Sequence, residues 1–234
     1  ICAFIHRVDP DIIDMQEVLH HQLEVLKTGL PEYTVVGVGR EDGKTAGEYA
    51  PIFFKQAKYT LLDQNTFWLC EKPDSVGMVG WDAALTRIAT WVKLQDKKTG
   101  QILMVVNTHF DHIGTEARRN SALLIIEKIK EIVGTSPAIL TGDFNVSEDW
   151  DAYKTITNNE FILKDAHKVA GKRTGVDFTY HNFGKIPAEK CEKIDFIFVT
   201  PQIRVISSYI PFSQLNDTLF LSDHNPEIVE LEIK

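Results

Sequence analysis

Cysteine is scarce in this sequence. Cys2, Cys70 and Cys191 are odd in number and far apart among 234 residues, which argues against a disulfide framework and a cysteine-rich zinc site. Long apolar runs are missing too. None approaches the roughly 20 residues needed to cross a bilayer, and no basic-then-apolar segment opens the chain. Neither a membrane span nor a targeting segment is therefore expected in it. Positive charge is in deficit, with 25 Lys and Arg against 33 Asp and Glu for a net charge of −8. That balance speaks against non-specific binding to long polyanions, which requires a basic face, but leaves open a polyanion held locally where metal neutralises several acids. Internal repeats and low-complexity tracts are absent. So is a glycine-rich phosphate turn, which counts against a parallel Rossmann-type sheet. What is present is 44% hydrophobic and 25% charged residues, the composition of a soluble globular protein with a sizeable core and no linker. One domain over residues 1–234 and a monomeric state are expected.

The first residues, ICAFIHRVDPDII, read as the tail of a helix already under way, so we expect a segment upstream of Ile1. Asp9-Pro10 closes that helix, because proline removes a donor and restrains its predecessor. Residues 11–15 read as a short strand ending in Gln16-Glu17, and Leu19, Leu23 and Leu26 form a helical stripe over 18–26. Residues 33–38, 51–54 and 59–62 read as strands, with REDGKTAGE after the first as an exposed, mobile loop. From 63 to 84 the pattern is that of a long ordered loop. Residues 87–94 and 101–107 alternate and are joined as a hairpin, with Gly100 placed for the positive φ of a bulge. Thr115 is expected to cap a helix running to about Val133, with Gly134 beyond its end. A short helix over 150–156, a loop-rich stretch over 158–192, and strands over 194–199, 205–209 and 227–233 complete the chain. Hairpin-like strands with helices at intervals predict an α/β sandwich of mixed, largely antiparallel sheets.

Five strand ends are followed by polar residues, and the centre of the set is TGDFN at 141–145. It follows the apolar run Ala138-Ile139-Leu140, so alternation sends Asp143 and Asn145 one way and Phe144 the other, into the core. Gly142 leaves room for a close neighbour or ligand. A carboxylate and an amide delivered together suit a hard cation and an anionic oxygen, although the same residues are ordinary turn formers. The others are DMQEV with Glu17, NTHFDH with His109, KIDFIF with Asp195, and SDHNP with Asp223 and His224. Asp195 sits in an otherwise apolar strand and needs a cationic or hydrogen-bonding partner, a histidine by preference, unless that strand lies at an edge facing water. Glu17 also fits the first turn of a helix. His109 shares a strand face with Asn107 and also fits a hydrogen-bonded rim position. Pro226 holds Asn225 extended. Acids and imidazoles at strand ends let distant segments converge on one rim of a rigid sheet.

The ordered set QE, NTH, GDFN, IDFIF and SDH covers nearly the whole chain and resembles the endonuclease/exonuclease/phosphatase superfamily of metal-dependent phosphoesterases. The resemblance implies a deoxyribonuclease I-like fold, a four-layer α/β sandwich with two mixed, largely antiparallel β-sheets packed face to face and helices outside. It implies hydrolysis of phosphodiesters or phosphomonoesters with Mg²⁺ or Mn²⁺. By position, Glu17 matches a metal-ligand glutamate and Asp223 an acid near the metal. Asp143 and Asn145 match the pair that positions the attacking water and the phosphoryl oxygens. His224 matches the base, with Asp195 orienting it. His109 matches a phosphate-binding histidine, Glu48 in a GEYAPIFF strand the carboxylate supporting it, and Arg87 a phosphate contact or a solvated arginine. The family's upstream strand, whose Asn helps hold the metal, has no counterpart here.

The Trp-containing GDFN variant and Cys-Asp-Arg stretch of the inositol-phosphate phosphatases are missing, as are the basic insertions of the abasic-site endonucleases. GDFNVSEDWDAYKTIT is similar to the sphingomyelinase and deadenylase-like branches, and 65–91 to a largely bacterial branch. A phosphodiesterase acting on nucleic acid or a small phosphodiester is expected first. A phosphomonoesterase on a small substrate, or a catalytically impaired binding domain, is the alternative. Trp68, Trp81 and Trp91 read as a base or sugar platform or, for two of them, as core.

Overall fold

Alternating apolar side chains over 88–109 build the middle of the molecule. The computed structural model describes residues 1–134, 136–158, 163–216 and 219–234. In chain order its elements are α1 (Cys2–Val8), β1 (Ile12–Asp14), α2 (His20–Gly29), β2 (Tyr33–Val36), β3 (Ile52–Lys55), β4 (Tyr59–Trp68), β5 (Ile88–Asp96), β6 (Ile102–His109) and α3 (Thr115–Val133). There follow β7 (Ala138–Asp143), α4 (Asp151–Thr157), β8 (Lys164–Asp165), α5 (Ala166–Val169), β9 (Lys172–Gly175), a 3₁₀ turn (Ala188–Lys190), β10 (Asp195–Val199), β11 (Ile203–Ile210), β12 (Gln214–Asn216), β13 (Leu219–Phe220) and β14 (Ile228–Ile233).

A six-stranded sheet of order β4-β5-β6-β7-β10-β8 is the platform, antiparallel except for β6 beside β7, which α3 connects. Its alternating side chains divide between two cores. Trp91, Met104, Val106, Leu140, Phe196 and Phe198 pack with α3 and α4, around a fully buried Phe144. That ring makes edge contacts with Phe110 at 4.9 Å and Phe198 at 5.2 Å, and truncating it to Ala would cost about 3–5 kcal/mol. On the other face, Val92, Leu94, Val105 and Ile139 pack against two three-stranded sheets, β1-β3-β2 and β14-β11-β9. Phe53 points away from that core, towards Leu23 and Leu26 of α2 and Ile5 of α1. Helices, split sheet, whole sheet and helices give the four layers expected from the resemblance.

The edge strands β1 and β14 both line a groove of about 1240 Å³, floored by Leu103, Val105, Ile139 and Ile197 of the platform. No helix among the described residues is long and apolar enough to cross a membrane.

Four expectations need correction. The loop placed at 63–84 begins as strand, because β4 continues to Trp68. It is the sheet edge, where exposed polar residues replace alternation. Thr115 is the first helical residue and no cap. The carboxylate of Asp82 accepts the Glu116 and Ala117 amides, and that of Asp111 the Ile113 and Gly114 amides, so the orphan donors are met from outside the helix. Glu48 precedes β3; its neighbour Tyr49 forms only an isolated bridge with Val18. Glu17 is likewise outside α2, in a left-handed turn at φ 58°. The loop-rich reading of 158–192 falls partly on 159–162, outside the described residues.

Candidate active site

Register brings the first three groups together. His109 of β6 lies opposite Asp143 of β7, and Asp143 opposite Asp195 of β10, so three strands present one row of side chains on the groove face. Close packing beside the row requires Gly142, since a Cβ there would run into the Thr108 carbonyl. The other side of the site comes from the split sheets: Glu17 after β1, Glu48 before β3, and Asp223-His224 ahead of β14. Donation from the Tyr49 amide to the Val18 carbonyl at 2.8 Å ties the first two segments together.

Two clusters result. In one, ligating atoms of Asp143, Asp195 and His224 all lie within 4.8 Å of one another, and in the other those of Glu17, Glu48 and His109 do. His224 donates from Nδ1 to the Asp195 carboxylate at 2.7 Å, which directs its Nε2 towards Asp143, 3.9 Å away. Burial works against the His224 imidazolium, but Asp195, then Asp143 and Asp223, outweigh it and push the pKa up to about 9. Asp143 is only 6% exposed; burial and the charge of Asp195 raise its pKa well above the usual carboxylate range. Its Oδ1 accepts the Asn145 amide at 2.9 Å, and the Asn145 side chain donates to the Phe110 carbonyl at 3.0 Å, holding that residue in a left-handed conformation. Burial, followed by Arg87 and Arg40, drives the His109 pKa well down, so this ring is neutral. Its Nε2 lies 3.5 Å from Asp143.

A divalent cation fits the Glu17, Glu48 and His109 cluster. Oxygen-rich donors suit a hard ion, the neutral imidazole keeps a lone pair, and burial with the repulsion of Glu48 and Asp223 raises the Glu17 pKa, a crowding that a cation relieves. Asp223 belongs to neither cluster, and its negative charge adds to the crowding at Glu17.

Arg87 is not a solvated arginine. Only 4% exposed, it pairs with Asp111 and contacts His112, and its Nη1 is buried without a partner. Trp68 and Trp91 are core residues, while Trp81 lines a separate shallow depression. Sequence reasoning missed several groups around the site. Arg40, assigned to a mobile loop, is buried and bonded to Glu48. Asp14, which accepts from Thr141, is half-buried with its Oδ1 enclosed and unpartnered, and desolvation pushes its pKa up to about 7. Lys193 bridges the Asp195 carbonyl and the Glu227 carboxylate. Asp14 was within reach, because an acid inside an apolar run is the signal that singled out Asp195. For Arg40 there was none.

Comparison with known proteins agrees with this fold. The model of the Endonuclease/Exonuclease/phosphatase family matches residues 1–224. An endonuclease/exonuclease/phosphatase from Bacteroides vulgatus superposes with a TM-score of 0.97 at 63% identity, over 100% of this chain and 88% of that one. A mannosyl-6-phosphatase from Bacteroides thetaiotaomicron gives 0.92 at 37% identity, over 99% and 89%. The human nocturnin catalytic domain, with sulfate bound, shares the fold at a TM-score of 0.78 and 18% identity, over 98% and 83%. The chain belongs to the endonuclease/exonuclease/phosphatase family and is a metal-dependent phosphoester hydrolase.

Proposed function

We propose that this chain hydrolyses phosphate monoesters of small polar molecules, sugars foremost. The observation that carries the choice is its 37% identity to a mannosyl-6-phosphatase over almost the whole chain. The sequence motifs rank a phosphodiester first. Two features favour the smaller substrate: the net charge of −8, and a site in which Glu17, Glu48, Asp143, Asp195 and Asp223 outnumber the basic groups. A polynucleotide backbone needs a basic track to neutralise its phosphates.

Mg²⁺ or Mn²⁺, held by Glu17, Glu48 and His109 with Asp223 nearby, would supply Lewis-acid stabilisation of charge on the phosphoryl oxygens. The remaining work falls to the chain. His224, in its neutral form, accepts a proton at Nε2 from the attacking water, and Asp195 holds the ring in the tautomer that leaves Nε2 free. Asp143 positions that water. Asn145 contacts the phosphoryl oxygens, where a fixed donor stabilises charge as it develops, and neutral His109 would offer its lone pair to the metal. Arg87 and Arg40 keep His109 uncharged from behind.

The deciding experiment compares a hexose 6-phosphate, bis(p-nitrophenyl) phosphate and a short oligonucleotide as substrates, with Mg²⁺, with Mn²⁺ and with excess chelator. We expect metal-dependent turnover, with the highest kcat/KM on the hexose phosphate. Full activity in chelator would remove the metal from the mechanism. A higher kcat/KM on the diesters would restore the diester reading.

A further inference from the structure

Residues 180–184 make an odd turn beside the catalytic imidazole. Asn182 and Phe183 both adopt left-handed conformations, at φ 48° and 53°, and Gly184 follows at φ 72°. A bulky aromatic residue in that region is an outlier that the surroundings must enforce. Here they do. The amides of His181 and Asn182 both donate to the Asp223 carbonyl, at 3.0 and 3.2 Å, which fastens the turn to the segment carrying Asp223 and His224. The Gly184 amide donates to Nδ1 of His181 at 3.0 Å, and the His181 ring is buried against Phe212 and Phe220. A side chain on Gly184 would collide with Phe220, so the turn has no slack.

Core packing does not account for what the strained turn presents. Phe183 is 50% exposed and lines the groove that also holds Asp143, Asp223 and His224. Three residues earlier, Tyr180 lays its ring 4.9 Å from the His224 imidazole. Its hydroxyl senses the charges of Asp223, Asp143 and Glu17, and with burial as the larger cause they keep it protonated. An aromatic ring in the groove and a tyrosine packed against the catalytic imidazole thus stand on one side of the site.

We propose that Tyr180 and Phe183 form the wall that grips the leaving group, with Phe183 stacking on the apolar face of a ring, so that the enzyme prefers ring-bearing phosphate esters to acyclic ones. This rests on the phosphomonoesterase reading and adds the residue that sets its selectivity. A pyranose and a nucleobase both offer such a face.

The test is kcat/KM in Mg²⁺ on a hexose 6-phosphate, a nucleoside 5′-monophosphate and glycerol 3-phosphate, for wild type, Phe183→Ala and Phe183→Trp. We expect Phe183→Ala to lower the ratio of ring-bearing to acyclic kcat/KM about tenfold, mainly through KM, and Phe183→Trp to retain it. The ring ester whose ratio falls identifies the ring recognised. Melting curves check folding, which the exposed Phe183 side chain does little to support. Equal losses on all esters, or an unchanged ratio, would overturn the wall. Wild-type protein that turns over a diester but none of these monoesters would overturn the phosphomonoesterase reading, and the wall with it.

Discussion

The platform sheet and the split pair of sheets facing it are built from similar strands and behave differently. In the platform, β6, β7 and β10 are each paired on both sides, and register alone delivers His109, Asp143 and Asp195 in one row. Across the groove, β1 and β14 are edges, and Glu17, Glu48, Asp223 and His224 stand outside the strands, in turns and loops. One half of the site is thus fixed by sheet register, and the other by isolated backbone bonds between loops, side-chain contacts and whatever charge sits between them. Precision is cheap in the first half; the second depends on partners.

The largest effect is expected within the platform. Asp143→Ala should lower kcat on the order of 10³-fold, since a group that positions the reacting water is lost. The melting temperature should stay within a few degrees or rise, because this carboxylate, buried beside Asp195, is held in a conformation that strains its ionisation rather than one that stabilises the fold. A large fall in melting temperature would show that the acid row is structural.

Next comes the pair that joins the two regions. Asp195→Asn should cost about 10²-fold in rate, by analogy with charge-for-amide changes behind a catalytic histidine. His224→Ala should cost at least as much, and the double variant little more. Clean additivity would mean that the halves act independently. Because Asp195 raises the His224 pKa, the rising limb of the pH–rate profile should move down in Asp195→Asn; an unmoved limb would break the pairing. The same linkage predicts a sign for stability. With the folded pKa about 9 against an ordinary 6.5, the pair's contribution is fully present below about pH 6.5 and lost as pH rises through about 9. The melting-temperature gap between wild type and Asp195→Asn, in metal-free buffer, should therefore shrink over that range.

The smallest effect concerns the split sheets. A chain extended upstream by a segment that pairs with the open edges of β1 and β14 should melt several degrees higher, as unpaired edge groups gain partners and apolar floor is covered. Equal melting of the extended and 234-residue chains would show that the groove needs no strand.

Period-2 and period-3.6 patterns marked the central hairpin, α3, β7 and β10, because each buries one continuous face, and a buried face is written into the sequence as alternation. They faltered at β4, whose polar residues are correct for an exposed edge but look like a loop. They faltered again at the start of α3, capped by Asp82 from over thirty residues away. Asp195's need for a partner was legible because a lone acid in an apolar strand is costly, and a histidine supplies it at 2.7 Å. By itself, then, the sequence determined which residues line the core and which polar groups interrupt it, since both follow from the local cost of burial. Only tertiary structure decided that Arg40 turns inward to Glu48 at the other end of the same loop, that Arg87 turns inward to Asp111, and that Tyr180 and Phe183 stand beside His224. The last two join residues distant in the chain and the first depends on which way a loop folds, and no local hydrophobic pattern encodes either.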